Sequence, residues 1–233
     1  MNNNFKTKVE FNVETNCDSC KAKVEKVLSN LTGITIDYFD VKQQRLIVEL
    51  NESSNHSIEE IRDLIESKAG IRTVIKGLGE NKLSSVSEIQ GPNNILGVVR
   101  LSQLFDNICL VDGVIDGINE NECKAALNIH EYGDLSGDNF KNVGSVYVPI
   151  LPHLKSVSQR SSFRLQISNC DLSCCIGRSM VVSDTRNNRP LAAGIIARAS
   201  PVGGNTKKIC VCSGKTLWEE RQEKSKVEKQ SPI

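Results

Sequence analysis

The stretch Lys6-Thr7-Lys8-Val9-Glu10-Phe11-Asn12-Val13, followed by Thr15-Asn16-Cys17-Asp18-Ser19-Cys20, decides how the first third of this chain folds. Its first eight residues alternate polar and apolar side chains, the period of a strand with one face buried. Over residues 19–31, Ala22, Val24, Val27, Leu28 and Leu31 recur at helical spacing, and Gly33 follows where a residue just past a helix end is expected. Residues 34–39 and 45–50 are β-rich runs joined by a short polar turn. Residues 57–68 read as a second amphipathic helix, with Ile58, Ile61, Leu64 and Ile65 on one face. Ser57 is placed to cap it, and Glu60, three residues on, to complete a capping box. Residues 72–76 close the unit as a fourth strand.

The order β-α-β-β-α-β is the ferredoxin-like arrangement, for which about 70 residues suffice. Residues 1–76 are therefore expected as an α+β domain. Residues 77–94 are rich in Gly, Ser, Asn and charge and are expected as a linker. From 95 to 200 the character changes. Short β-prone runs at 95–104, 108–114, 125–130, 145–149, 163–167, 180–182 and 191–199 alternate with turn residues, with no long amphipathic helix between them. That spacing predicts an all-β sandwich or barrel. Residues 201–233 form a polar C-terminal segment, with Gly203-Gly204-Asn205, a cysteine-bearing stretch and a charged run over 219–230.

Composition narrows the function. The 233 residues fit one or two domains of ordinary size. Lys+Arg is 29 against Asp+Glu 28, so there is no basic excess for a nucleic-acid backbone, and 4% aromatics leave little for base stacking. No apolar run approaches the roughly 18 residues of a membrane span. Met1 to Lys6 lacks the apolar core of a secretory signal, so a reducing cytoplasmic setting is expected, with the mitochondrial intermembrane space as a second location. Nine cysteines, an odd number and clustered, point to metal or redox work more than to a disulfide framework.

Cys17 and Cys20 form a C-x-x-C between the first strand and the first helix. A helix N-terminus carries partial positive charge and favours thiolates, and Lys21 and Lys23 are expected to add to that. Two soft sulfurs without a nearby histidine suit Cu(I), which accepts low coordination numbers. Zinc would want four ligands, and this domain offers these two cysteines and His56. A thioredoxin-like disulfide site is the competing reading. Such sites commonly use a proline near the pair, and none occurs before Pro92. Over residues 5–76 the pattern resembles heavy-metal-associated domains, small copper-carrying modules. Thr15 stands where those domains usually have a Met that packs in the core to shape the loop.

A second pair, Cys210-Val211-Cys212, puts two thiols on one side of an extended chain. Oxidised, it would close a very small, strained and readily exchanged ring. The string runs on as Ser213-Gly214-Lys215-Thr216-Leu217-Trp218-Glu219-Glu220-Arg221. A phosphate loop would need glycine at 209, which is Ile209. The whole string resembles the C-terminal signature of the copper chaperones for superoxide dismutase. The resemblance also gives the lone tryptophan a role, as an anchor of the tail on a protein surface.

Residues 95–200 resemble copper-zinc superoxide dismutase, a Greek-key β-sandwich, at Ile129-His130-Glu131-Tyr132-Gly133-Asp134, at Ile176-Gly177-Arg178-Ser179-Met180-Val181-Val182 and at Leu191-Ala192-Ala193-Gly194-Ile195-Ile196-Ala197. His130 keeps one of that enzyme's metal ligands. Asn128, Val146 and Ser183 replace others, Ala193 replaces a disulfide cysteine whose partner position falls near Asn139, and Pro190 replaces the guiding arginine. A site of that kind takes roughly six histidines and a carboxylate. The whole chain has three histidines, including His153. The domain is thus expected as a docking module with the enzyme's shape, nearest to fungal chaperones that have also lost these ligands. His130 is expected to be structural. Cys109, Cys123, Cys170, Cys174 and Cys175 are expected as packing or surface thiols. The resemblance places Ile176-Gly177-Arg178 in the strip through which the enzyme dimerises, a patch able to accept a close structural relative.

The expectation is therefore a non-enzymatic Cu(I) chaperone with metal ligands Cys17, Cys20, Cys210 and Cys212. It would pair with copper-zinc superoxide dismutase through the middle domain, with a homodimer as the other assembly, and assist formation of its partner's disulfide. A thiol-disulfide oxidoreductase and a pure interaction module with inert cysteines are the alternatives.

Overall fold

A computed structural model describes residues 5–80, 83–120, 123–206, 215–216 and 218–219. The first domain comprises β1 (Lys6–Val13), α1 (Asp18–Ser29), β2 (Ile34–Asp40), β3 (Arg45–Asn51), α2 (Ile58–Leu64, continued by a π-helical turn over Ile65–Ala69) and β4 (Thr73–Leu78). Its sheet has the order β2-β3-β1-β4, antiparallel at each junction. Val9, Phe11 and Val13 of β1 and Leu46, Val48 and Leu50 of β3 are fully buried beneath both helices. Ser57 caps α2 as expected: its Oγ accepts from the Glu60 N–H at 3.2 Å, and its own N–H donates to Glu60 Oε2 at 2.9 Å. Gly33 sits at φ +74°, a turn conformation that a side chain would strain.

The second domain is mostly β. Strands β5 (Ser84–Gln90), β6 (Leu96–Phe105), β7 (Ile108–Asp116), β8 (Ala125–His130), β9 (Val146–Leu151), β10 (Arg160–Ser168), β11 (Ser179–Asp184) and β12 (Arg189–Ile195) pair in the order β10-β7-β6-β5-β12-β11-β8-β9. A short β13 (Ala197–Ala199) pairs with β5. The sheet curls round a core that includes Val99, Leu101, Val111, Leu127, Ile129 and Val182. Strands β9 and β10 follow each other in sequence yet lie at opposite ends of the order, so the chain crosses over in Greek-key fashion. The expected combination of an α+β ferredoxin-like unit and a Greek-key sandwich is the fold found.

One boundary differs from the sequence reading. Residues 77–94 are not a plain linker, because Ser84–Gln90 is β5, a strand inside the sheet between β6 and β12. Ser84, Ser85 and Ser87 are buried there. The run reads as linker because its buried positions carry hydroxyls. It folds as strand because its backbone pairs with β6 from Ser84 to Gln90. Packing is close enough that a Cβ on Gly194 of β12 would lie 2.0 Å from the Glu88 carbonyl oxygen, which requires glycine there.

The two domains meet along α2. The Ile58 N–H, one of the unpaired donors of a helix start, donates to Asp112 Oδ1 of β7 at 2.9 Å. Arg164 of β10 holds the other Asp112 oxygen at 3.1 Å. Glu59 pairs with both Arg62 and Arg100, and Asp63 pairs with Arg160 at 2.9 Å. The chain also returns to the first domain after β13: the Leu78 N–H donates to the Ser200 carbonyl, and the Gly203 N–H to Glu10 Oε2 at 2.6 Å. No helix among the described residues is long and apolar enough to cross a membrane.

Candidate metal centre

The first cysteine pair lies where β1 gives way to α1. Cys17 is the residue that caps α1; its backbone is extended (φ −158°, ψ 162°), and its carbonyl accepts from the N–H groups of Cys20 and Lys21 at 3.1 and 3.2 Å. The sulfur makes no cap bond of its own. One helical turn brings Cys20 back over Cys17, so the two Sγ atoms stand 2.8 Å apart. A disulfide would be about 2.05 Å. Both residues are free thiols, Cys17 exposed and Cys20 half-buried at the rim of the core.

Hydrogen bonding stabilises a thiolate on Cys17. The Cys20 thiol is the largest influence, followed by the Ser19 hydroxyl at 3.1 Å and the Cys20 backbone N–H. Together they bring the Cys17 thiol down to about 7. Lys21 contributes differently from expectation. Its ammonium lies 5.6 Å from the Phe39 ring centroid and 3.8 Å from Glu25, so α1 spends that charge on its own surface. Among the described residues no group of three or more His, Cys, Asp and Glu side chains is placed to hold a metal ion. His56 instead stands 3.9 Å from Glu60 at the start of α2. The arrangement is thus two adjacent soft donors, open to solvent on one side, which suits a soft ion of low coordination number.

The loop before Cys17 is braced from two directions that the sequence did not reveal. Thr15, in the position of the heavy-metal-associated Met, is also turned inward: it is buried, and its hydroxyl donates to the Val13 carbonyl at 3.3 Å. Gln44, in the turn between β2 and β3, accepts at its carbonyl from the Val13 N–H at 2.8 Å. Its side-chain amide donates to the Thr15 carbonyl at 3.4 Å and to Asn16 Oδ1 at 3.3 Å. From the start of β4, the Arg72 guanidinium grips both oxygens of Glu14 at 2.5 Å, and its carbonyl accepts from the Glu14 N–H at 2.9 Å. The one available signal was the polar turn Lys42-Gln43-Gln44, and that does not name its partner.

Cys210 and Cys212 lie outside the described residues. Close after them, Trp218 is described: its indole N–H donates to Gln44 Oε1 at 3.1 Å, and Arg72 lies 5.8 Å from the ring centroid. Sequence reasoning expected an anchored tryptophan but not its surface. That surface includes the two residues that brace the cysteine loop.

In the second domain, His130 is buried and its Nδ1 bonds the Gly144 carbonyl at 2.9 Å, a structural contact. Val181 of β11 stands opposite Asn128 of β8, and Ser179 opposite His130. Cys109, Cys170 and Cys175 are buried, with Cys170 and Cys175 Sγ atoms 3.8 Å apart. The neighbouring Cys109 thiol is the main influence that pushes Cys170 up to about 12, and Cys170 raises Cys175 in turn. Cys170 and Cys175 are held protonated, a tendency opposite to that of Cys17. Cys174 is exposed and Cys123 half-buried. Around Arg178 the surface is apolar and open: its guanidinium stacks 3.7 Å from the Tyr147 ring centroid, and Tyr132, Val146 and Ile195 are all exposed.

The model of the heavy-metal-associated domain matches residues 10–70. A curated rat relative (Rattus norvegicus), named copper chaperone for superoxide dismutase, is 30% identical over 256 residues that cover 91% of this chain and 88% of the relative. The human protein of the same name (Homo sapiens) is 30% identical over the same shares. The superoxide dismutase 1 copper chaperone of Saccharomyces cerevisiae is 27% identical over 96% of this chain and 97% of its own length. With a relative 30% identical over 91% of this chain, and an adjacent sulfur pair on the domain that the heavy-metal-associated model matches, the chain belongs to the family of copper chaperones for superoxide dismutase.

Proposed function

We propose that Cys17 and Cys20 carry Cu(I), that the second domain docks on copper-zinc superoxide dismutase, and that Cys210 and Cys212 act at that partner. The observation that carries this reading is the exposed sulfur pair, with Sγ atoms 2.8 Å apart and a Cys17 thiol near neutrality. Transfer to a client proceeds only if the client binds the ion more tightly, so a carrier works best with few ligands that exchange easily. Two adjacent sulfurs open to solvent meet that need. The buried Cys170 and Cys175 thiols of the second domain, held protonated, do not. Cu(I) keeps its oxidation state as one dithiolate replaces another, and protons move the opposite way, onto the sulfurs left behind.

The docking surface follows from the exposed cluster around Tyr132, Val146, Tyr147 and Ile195, with Arg178 stacked at its edge. An open apolar cluster of this kind fits protein recognition. The disulfide step would be exchange: a Cys210–Cys212 disulfide is reduced to two thiols as two thiols of the partner become a disulfide, with electrons and protons conserved between them.

Cu(I) titration against a competing chelator tests the loading role, with Cys17→Ser and Cys20→Ser made together and then Cys210→Ser with Cys212→Ser. Each double variant is expected to lower the bound copper, and unchanged stoichiometry in the first would contradict the assignment. Tyr147→Glu is expected to abolish association with copper-free dismutase in gel filtration while leaving copper binding intact. The low Cys17 value also suits a nucleophile, which is the observation favouring an oxidoreductase. Copper-free turnover of a generic disulfide substrate would establish that second reading.

A further inference from the structure

Gln44 closes the turn between β2 and β3: its N–H donates to the Val41 carbonyl at 3.2 Å, and its backbone sits at φ +54°. That left-handed conformation suits glycine, and a residue with a Cβ adopts it only under strain. Local turn chemistry therefore argues against a glutamine at this position. Its side chain gives the reason for one. The amide nitrogen donates to the Thr15 carbonyl at 3.4 Å and to Asn16 Oδ1 at 3.3 Å, so both of its hydrogens go to the two residues before Cys17. The amide oxygen accepts the Trp218 indole N–H at 3.1 Å, which settles which way the amide faces. The Gln44 backbone carbonyl accepts the Val13 N–H at 2.8 Å. One residue of a neighbouring turn thus grips the path from Val13 to Asn16 with main chain and side chain together.

That path decides where Cys17 stands. Cys20 is carried by α1 and moves with it, whereas Cys17 precedes the helix on extended backbone and its sulfur makes no capping bond. The 2.8 Å between the two Sγ atoms therefore depends on how the chain enters Cys17. Arg72 clamps Glu14, the Thr15 hydroxyl bonds the Val13 carbonyl, and Gln44 reaches the last residue before the sulfur. We propose that Gln44 is a positioning residue for the metal centre: its amide holds Thr15 and Asn16 so that Cys17 stays beside Cys20 as one preformed dithiol. Gln44 does not itself coordinate the ion. A preformed pair gives up less freedom when it closes on an ion than a loose one does, so it binds more tightly. Two hydrogen bonds of this length together strengthen binding by about tenfold. The inference rests on the reading of Cys17 and Cys20 as carriers of Cu(I), but the dithiol can be probed without copper.

The test uses the full-length chain with Cys210→Ser and Cys212→Ser, so that the second pair does not answer. Two neutral variants are compared in it. Gln44→Met keeps the side-chain length and the left-handed backbone but has no N–H to give. Gln44→Gly also has none, and it relieves the backbone. Phenylarsine oxide is the copper-free probe: it condenses with two neighbouring thiols, forming two As–S bonds and releasing one water. Both variants are expected to bind it about tenfold more weakly, and to lose Cu(I) to a competing chelator about tenfold faster. Their urea midpoints should nonetheless differ, with Gln44→Gly above Gln44→Met. A merely structural role would make the loss follow the urea midpoint, so binding of the arsenical at the wild-type level in Gln44→Gly would overturn the assignment, and this variant decides the matter if Gln44→Met misfolds. Trp218→Phe removes the indole N–H and keeps the Gln44 donors, so it should bind as wild type does; a tenfold loss there would place the hold in the indole and overturn it too. Failure of copper loading with the arsenical difference intact would sink the copper reading and leave Gln44 in its role.

Discussion

Cys17 draws its character from three donors within one turn of backbone. A sulfur at a strand–helix junction has the start of a helix beside it, and here Cys20 and Ser19 add hydrogen bonds that favour the anion. The thiolate forms as pH rises, and donors that stabilise it lower the pH at which it appears. Alkylation of Cys17 by iodoacetamide, followed by mass spectrometry, should therefore reach half its maximal rate near pH 7. Ser19→Ala should move that midpoint upward, towards the ordinary thiol value of about 8.5. A variant midpoint at or below that of wild type would show that Ser19 does not act on the thiolate. Copper binding displaces the same protons, so the affinity for Cu(I) should weaken as pH falls below that range. Cys170 and Cys175 should resist alkylation throughout, since the contact of Cys109 with Cys170 and of Cys170 with Cys175, and then burial, disfavour their anions.

At the scale of single elements, α2 carries two separate devices at its first turn. Ser57 and Glu60 close the capping box within the first domain, and Asp112 receives the Ile58 N–H from the second. Ser57→Ala is expected to cost about 1 kcal/mol, read from the urea midpoint. Asp112→Ala should cost about 3 kcal/mol, because it strands the buried Arg164 guanidinium without its partner. Burial pushes the Asp112 carboxyl up to about 6, against the pull of Arg164, the Ile58 N–H and Arg100. Its folded value lies above the ordinary carboxylate value of about 3.9, so between the two the native state holds a proton the unfolded chain has lost. The stability this group contributes is then full below about pH 4 and declines as pH rises through about 6. Asn mimics the protonated acid, so the urea midpoint of wild type should fall relative to that of Asp112→Asn as pH rises over that range. A wild-type midpoint that rises relative to Asp112→Asn would show that the Arg164 ion pair outweighs burial.

For the molecule as a whole, the junction between domains is made of charge rather than of a shared apolar core. Glu59 is buried between Arg62 and Arg100, Asp63 meets Arg160, and the two apolar cores stay separate. Such partly buried pairs fix orientation as much as they add stability. Wild type should unfold in one calorimetric transition. Arg100→Glu sets a like charge against Glu59 and should split it into two, with the sandwich and the small domain melting apart. The exchange Glu59→Arg with Arg100→Glu should restore part of the coupling. A single unsplit transition in Arg100→Glu would place the coupling elsewhere, for instance in the return of residues 200–203 onto Glu10 and Leu78.

What could be read directly from the chain was whatever depends on neighbours in sequence. The alternation of Lys6–Val13, the helical spacing of Val24, Val27 and Leu28, the capping box at Ser57 and the placement of Cys17 at a helix start are local patterns. A count of three histidines likewise spoke against a dismutase site without any coordinates. Tertiary structure decided what depends on distant partners. It took the serine-rich Ser84–Gln90 for a central strand, because β6 and β12 were there to pair with it. It drew Lys21 to Phe39 and left the thiolate to hydrogen bonds. It brought Gln44, Arg72 and Trp218 together across separations of up to 174 residues. Periodicity records which face of an element is buried; it carries no address for the residue that will lie against that face, and that address exists only once the chain has closed on itself.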